Sequence, residues 1–314
     1  MCALVAQWIR ALACGAIGRV FESRRGRLIL GSGSPLLFVL AFGKRMSGSR
    51  PQILLTNDDG ILSPGLWAAA ASLSKLGFVT VTAPREQSSG AGRSMPNTSD
   101  GIIQEQQVQV NGQDWTVFSV GGTPAQTVLH GVLEVMKRKP DLVVSGINYG
   151  ENVATGVTIS GTVGAAMEAA SLGIPAMAIS LEAAAEYHLT YSEEVSFLVA
   201  AAFAARIGRL ILEKKFPPDV DLLKVDVPSN ATVDTPWQLT RVSRQRYYEP
   251  MAPTRDSWAE RAVVGYREAG EFDREPENTD VYVLRKKRMV SVSPLSLDLT
   301  SRVDFTELDR LLRS

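Results

Sequence analysis

The sequence predicts an α/β fold, a mostly parallel sheet covered by helices on both faces and followed by a β-rich C-terminal extension. Three observations carry this. From Pro51 onward, short apolar runs alternate with longer helical stretches, the pattern of strand–helix–strand units. Runs such as Ile53-Leu54-Leu55-Thr56 are apolar almost throughout, as strands buried on both faces are. After Pro228 the texture changes, and residues 237–290 become rich in Arg, Tyr, Glu and Pro.

Ile53–Thr56 is the first strand and ends in the polar turn Asn57-Asp58-Asp59-Gly60. Leu66–Leu76 reads as a helix after Ser63-Pro64-Gly65, with Gly77 as its stop. Phe78–Ala83 is a second strand, closed by Pro84 and followed by the polar loop Arg85–Ser94. Val108–Val120 reads as a β excursion around the hairpin signal Asn111-Gly112. Thr123-Pro124 opens a helix reaching Lys139, Thr as cap and Pro where its missing N–H is harmless. Asp141–Ser145 is a buried strand, Ser160–Leu172 a small-residue helix, Ile174–Ser180 a strand and Ser192–Leu212 a long helix. In the extension, Gln238–Val242 and Val281–Leu284 are β-like, Val290–Leu295 is a strand and Phe305–Leu312 a terminal helix.

The formal charge is zero, with 33 basic and 33 acidic residues, but it is unevenly spread. Residues 1–45 hold seven basic residues and one acid; subtraction leaves 26 basic against 32 acidic residues in 46–314, a net of about −6. An acidic body gives no electrostatic reason to expect nucleic acid as a partner. Both cysteines, Cys2 and Cys14, lie in the first 45 residues. The rest therefore offers no disulfide, thiolate nucleophile or cysteine-held zinc, and only His130 and His188 are available as imidazoles. Neither is assigned a role: His130 reads as a helix-face residue and His188 as a surface one.

Residues 1–45 read as a non-native leader. Their apolar run, Pro35–Phe42, is far short of the ~20 residues a membrane span needs. Val5–Ser23 resembles a transfer-RNA gene read as protein, and Met46 is the expected start of translation. The expected organisation is thus 1–45 leader, 46–236 α/β core, 237–290 β-rich extension or oligomerisation arm, and 291–314 terminal strand and helix. With no usable signal or span, a cytoplasmic location without membrane partner is expected.

Four polar clusters fall at strand ends or helix starts: Asn57–Gly60, Gln87–Gly90, Ser145–Asn148 and Ser160–Thr162. In an open parallel sheet, ligands bind there. Asp58 and Asp59 repel each other unless a cation or proton lies between them. An oxygen-only set of Asp, Ser and Asn suits a hard ion such as Mg²⁺ or Mn²⁺ better than zinc. Alone, Asp-Asp-Gly reads equally as a solvated turn, Ser89 as part of a Ser/Gly turn and Asn148 as a turn cap. Their convergence favours the metal reading. Gly90 lets the backbone approach a ligand, and the helix start at Ser160, Gly161 and Thr162 favours an anion. The sequence has no P-loop lysine, no nucleophile elbow with a histidine downstream, and no Asp-x-Asp at the first strand.

The series Ile53-Leu54-Leu55-Thr56-Asn57-Asp58-Asp59-Gly60, Ser63-Pro64-Gly65, Ser89-Gly90-Ala91, Gly122-Thr123-Pro124, Val144-Ser145-Gly146-Ile147-Asn148 and Ile159-Ser160-Gly161-Thr162-Val163-Gly164 resembles the SurE family. Val290-Ser291-Val292-Ser293-Pro294-Leu295 is similar to its C-terminal strand, and the likeness runs from Gln52 to Thr300. The resemblance implies a Rossmann-like three-layer core, arm-exchanged homodimers or homotetramers, and a metal-dependent nucleotidase. Its substrates would be nucleoside 5′-monophosphates, with 3′-monophosphates and polyphosphate ends as extensions. It also implies one divalent cation per subunit, Mg²⁺ or Mn²⁺, on Asp58, Asp59, Ser89 and Asn148. Asp58 or Asp59 would handle the attacking water, and Asn57, Gly90, Asn148, Ser160, Gly161 and Thr162 would lie by the phosphate. Two departures stand out. Gly150–Gly156 differs from the family's Gly-x-Asn-x-Gly form while keeping Asn152, and the C-terminal region lacks a histidine found in some members. A nucleotide- or metal-binding regulator without turnover is the alternative.

Overall fold

The computed structural model describes residues 49–110, 113–188, 191–192, 194–269 and 272–314. The leader and the Asn111-Gly112 turn lie outside the described residues.

Eleven strands occur among the described residues: β1 (Gln52–Thr56), β2 (Phe78–Pro84), β3 (Ile103–Val110), β4 (Gln113–Val120), β5 (Leu142–Tyr149), β6 (Ala176–Leu181), β7 (Leu222–Val227), β8 (Trp237–Leu239), β9 (Tyr248–Met251), β10 (Gly265–Glu268) and β11 (Val290–Leu295). The helices are α1 (Pro64–Leu73), α2 (Pro124–His130), α3 (Gly161–Ser171), α4 (Leu198–Glu213), α5 (Asp280–Arg285) and α6 (Phe305–Arg313). Nine strands form one sheet in the order β3-β4-β2-β1-β5-β6-β7-β11-β8. From β4 to β7 neighbouring strands run parallel; β3 and β11 each run antiparallel to their inner neighbour. β9 and β10 pair apart from it as an antiparallel hairpin.

The apolar strands predicted two buried faces, and the sheet has them. On one face Ile53, Leu55, Val144 and Ile179 pack against Leu66, Ala70 and Leu73 of α1 and Phe203 and Ile207 of α4. On the other, Leu54, Val143 and Ala178 meet Val128 of α2 and Val163, Ala166 and Ala169 of α3. The small residues of α3 allow close approach to the strands beneath, which brings its N-terminus down to the sheet's end.

Several boundaries differ from expectation, each for a local reason. The helix opened by Thr123-Pro124 widens into a π turn over Gly131–Val135 and stops at Met136, short of Lys139. The long helix begins at Leu198 instead of Ser192, because residues before it reach across to the sheet end: the Ser192 carbonyl accepts from the Tyr149 hydroxyl. Val281–Leu284 is helical, not a strand. Thr279 caps it by accepting from Tyr282 N–H at 3.3 Å, and Val281 and Leu284, three apart, are buried together. Here capping and packing override β propensity. β7 was missed because buried charges, Lys224 and Asp226, interrupt its apolar run.

The Thr123 cap is a full capping box: its hydroxyl accepts from Gln126 N–H, and the Gln126 side chain accepts from Thr123 N–H. Thr123→Ala is expected to lower the unfolding free energy by about 1 kcal/mol. Urea denaturation checks it, with the midpoint moving and the slope unchanged.

Candidate active site

The chain leaves β1 for β2 on one side and later returns to β5 on the other. That reversal leaves a crevice at the carboxyl end of β1. It sets the Asn57–Gly60 turn between the loop after β2 and the end of β5.

Asp58 and Asp59 are only 4% and 1% exposed. The Thr162 hydroxyl donates to Asp58 Oδ1 at 2.6 Å, and the Gly161 and Thr162 N–H groups face the same carboxylate. Asp59 Oδ2 accepts from Tyr149 N–H at 3.2 Å, and its Oδ1 from Gln87 Nε2 at 3.3 Å. Burial pushes the Asp58 carboxyl up in spite of its donors. Burial, and then the neighbouring charge of Asp58, hold Asp59 well above the usual carboxylate range. Among the described residues no lysine, arginine or histidine forms an ion pair with either. Two carboxylates so placed repel each other and favour a cation or a proton between them.

The other oxygens fit a hard ion. The register between β5 and β6 slips between Ser145 and Asn148, which re-aims Asn148 at the strand end. The amide nitrogen of Asn148 donates to the carbonyls of Gly150 (2.7 Å) and Tyr149 (3.1 Å), so Oδ1 is the atom it could offer to a cation. Asn57 donates to the Gly60 carbonyl at 2.9 Å, and its buried Oδ1 has no hydrogen-bond partner. Ser89 and Gly90 are exposed on a loop tied down around them. Ser88 N–H donates to the Asp58 carbonyl at 2.7 Å and Gly92 N–H to the Ile159 carbonyl at 2.9 Å, while Arg93 Nε meets Glu168 Oε2 at 2.7 Å. Among the described residues no group of three or more His, Cys, Asp or Glu forms a metal cluster. The candidate set is thus two carboxylates completed by a hydroxyl and an amide, which suits Mg²⁺ or Mn²⁺.

The start of α3 is turned toward the pair. A Cβ at Gly161 would lie 2.8 Å from Asp58 Cβ and 2.9 Å from Oδ2, so only glycine lets the helix end come this close. The Ser160 hydroxyl is used as the cap, accepting from Val163 N–H at 3.1 Å, and the Thr162 hydroxyl is committed to Asp58. What the turn adds to the crevice is its N-terminal dipole.

Sequence reading missed three participants. Gln87 stood in a selected loop without a role, and its Nε2 also donates to the His188 carbonyl at 2.8 Å. Tyr191 arrives from 132 residues away, its hydroxyl donating to the Asp59 carbonyl at 2.7 Å, a contact no local pattern announces. His188 is half-buried: its ring sits against Gly150 and stacks on Tyr266, and burial lowers its pKa. His130 pairs with Glu134 at 2.5 Å, as a residue on a helix face does.

Glu151 is the remaining unusual group. Its Oε1 accepts from the Tyr247 hydroxyl at 2.6 Å while its buried Oε2 is unpartnered, and burial pushes it up to about 7. A carboxyl raised in the folded state stabilises below its unfolded pKa and loses that contribution as pH rises through the folded value. Glu151→Gln should therefore stabilise at pH 8 by about 2 kcal/mol and have little effect near pH 4. Thermal melts of both proteins across that range check it.

Comparison with known proteins follows this geometry. The family described as Survival protein SurE matches residues 53–249. A protein named 5′-nucleotidase SurE from Methanosarcina mazei is 41% identical over 269 residues, covering 83% of this chain and 98% of its own length. One of the same name from Thermococcus gammatolerans is 43% identical over 263 residues, covering 83% and 96%. The crystal structure of the Sure protein from Aquifex aeolicus superposes with a TM-score of 0.65 at 32% identity, covering 83% of this chain and all of that one.

Proposed function

We infer, from the premise that this chain belongs to the SurE family, that it is a 5′-nucleotidase, a hydrolase that releases phosphate from nucleoside 5′-monophosphates. The observation that carries this reading is the Asp58–Asp59 pair, buried at the switch point and, among the described residues, without a cationic ion-pair partner. One divalent cation per subunit, Mg²⁺ or Mn²⁺, would be held by Asp58, Asp59, Ser89 and Asn148. When bound, it supplies charge neutralisation for the phosphoryl group and acidifies the attacking water.

The chain's own residues do the rest. Gln87 and Tyr149 N–H fix the Asp59 carboxylate from two sides, and Thr162 fixes Asp58, so neither carboxylate must reorganise as charge moves. One of the two accepts the proton that water gives up. The N-terminus of α3 lies by the phosphate and favours its negative charge. Asn57 and Gly90 border the same space, where backbone and amide groups can orient phosphate oxygens. The exposed Ser89–Gly90 loop leaves the mouth open to a nucleoside.

The same crevice accommodates 3′-monophosphates and polyphosphate ends in this reading, since the chemistry is confined to the terminal phosphoryl group. The β9–β10 hairpin, carrying exposed Met251 and Tyr266 and leading to exposed Trp258, Val263 and Val264, is the arm of a homodimer or homotetramer. No helix among the described residues is long and apolar enough to cross a membrane. A cytoplasmic location is part of the proposal.

Phosphate release from AMP, measured with Mg²⁺ or Mn²⁺ and again with a chelator, tests the reading. Activity should vanish with the chelator, and Asp58→Asn should lower kcat/KM by at least about 100-fold while the protein stays folded. Near-normal turnover in that variant removes the pair from the chemistry.

A further inference from the structure

The segment from Asn148 to Ser160 joins two parts of the site, and beneath it lies a charged cluster the reaction does not use. Lys224 and Asp226 of β7 and Asp280 at the start of α5 are all 0% exposed. The Lys224 ammonium meets Asp226 Oδ2, and lies 3.1 Å from Asp280 Oδ2. Burial opposes its charge, but the two carboxylates outweigh this and hold its pKa above the usual lysine value.

The carboxylates in turn hold backbone. Asp226 Oδ1 accepts from Asn152 N–H at 2.8 Å, and Asp280 Oδ2 accepts from Ala154 N–H at 3.0 Å. Asp280 Oδ1 accepts from the N–H groups of Ser243 and Val281, both at 2.9 Å. Asn152 adds a bond from Nδ2 to Ser180 Oγ at 2.8 Å. Between these anchors Ala154 has φ of +52°, the left-handed region that costs a non-glycine residue about 1 kcal/mol or more. The strained residue stays there because its N–H is held and its methyl is packed with Tyr247, Val281 and Leu284.

From Ala154 the path to the site is short. The 3₁₀ turn Ala154–Thr158 leads to Ile159, whose carbonyl accepts from Gly92 N–H in the Ser89 loop, and to Ser160, the cap of α3. A buried charge cluster is weak evidence for stability, since apolar residues of the same volume do as well or better. Its gain is geometric when what it binds must not shift. We propose that Lys224 is a positioning residue: by balancing Asp226 and Asp280 it fixes the 152–154 backbone, and through it the Ser89 loop and the start of α3 around the Asp58–Asp59 pair. This rests on the phosphatase reading of the site.

The test compares wild type with Lys224→Met and Asp280→Asn, the second keeping shape while loosening Ala154. Val292→Ala, a core change in β11, serves as a control for lost stability. Amide exchange over residues 152–160, Mn²⁺ affinity by calorimetry, and kcat and KM for AMP are measured below all melting transitions. Both cluster variants should exchange faster, bind Mn²⁺ at least about tenfold more weakly, and lose at least about tenfold in kcat while KM moves less than about threefold. The control should stay within about twofold throughout. Unchanged Mn²⁺ affinity and exchange in whichever cluster variant folds overturns the proposal. Failure of both to fold also counts against it, because it assigns the cluster to folding. An inactive wild type sinks the nucleotidase reading alone, leaving the Mn²⁺ and exchange results to judge Lys224.

Discussion

Two carboxylates, Asp58 and Asp59, are adjacent and almost fully removed from water. Their repulsion and desolvation are the constraint around which the rest of the structure is arranged. The fold supplies neutral donors, Thr162, Gln87 and backbone N–H groups, that orient the pair without cancelling its charge. That leaves a negative, preorganised, oxygen-lined crevice. Such a place favours a hard divalent ion and, through it, a phosphate.

The fold reaches this state through close approach. A parallel sheet with its switch point at β1 brings three loops together, and Gly161 lets the end of α3 come to within van der Waals contact of Asp58. Gly146, with φ of +129° and the Ile179 carbonyl where a Cβ would point, lets β5 turn toward Asn148. A second charged layer lies behind. Among the described residues Asp58 and Asp59 have no cationic side chain as an ion-pair partner, whereas Asp226 and Asp280 share Lys224. A buried carboxylate pair without such a partner favours a bound cation, whereas one that shares a lysine is already balanced.

Much of this was legible in the sequence because it is local. Buried strands are runs of apolar residues, polar clusters at their ends mark the crevice, and Thr123-Pro124 and Ser160 announce helix starts. What escaped depends on tertiary contact. Tyr191 joins the site from a segment with no distinctive pattern, and Gln87 from a polar loop that gives no sign of which side chain meets Asp59. β7 hid because buried Lys224 and Asp226 read as solvent-facing charges. Val281–Leu284 looked like a strand until Thr279 was seen to cap it. The half-burial of His188 has the same origin: nothing near it in sequence shows that its ring lies against Gly150.

The central claim is that the Asp58–Asp59 pair holds a divalent cation together with Ser89 and Asn148. Anomalous diffraction from crystals of the protein soaked in Mn²⁺ tests this most directly. The account predicts one strong peak per subunit, about 2.0–2.3 Å from oxygens of Asp58 and Asp59 and in contact with Ser89 and Asn148. A peak elsewhere, or none at a concentration of Mn²⁺ that supports phosphate release from AMP, would contradict it.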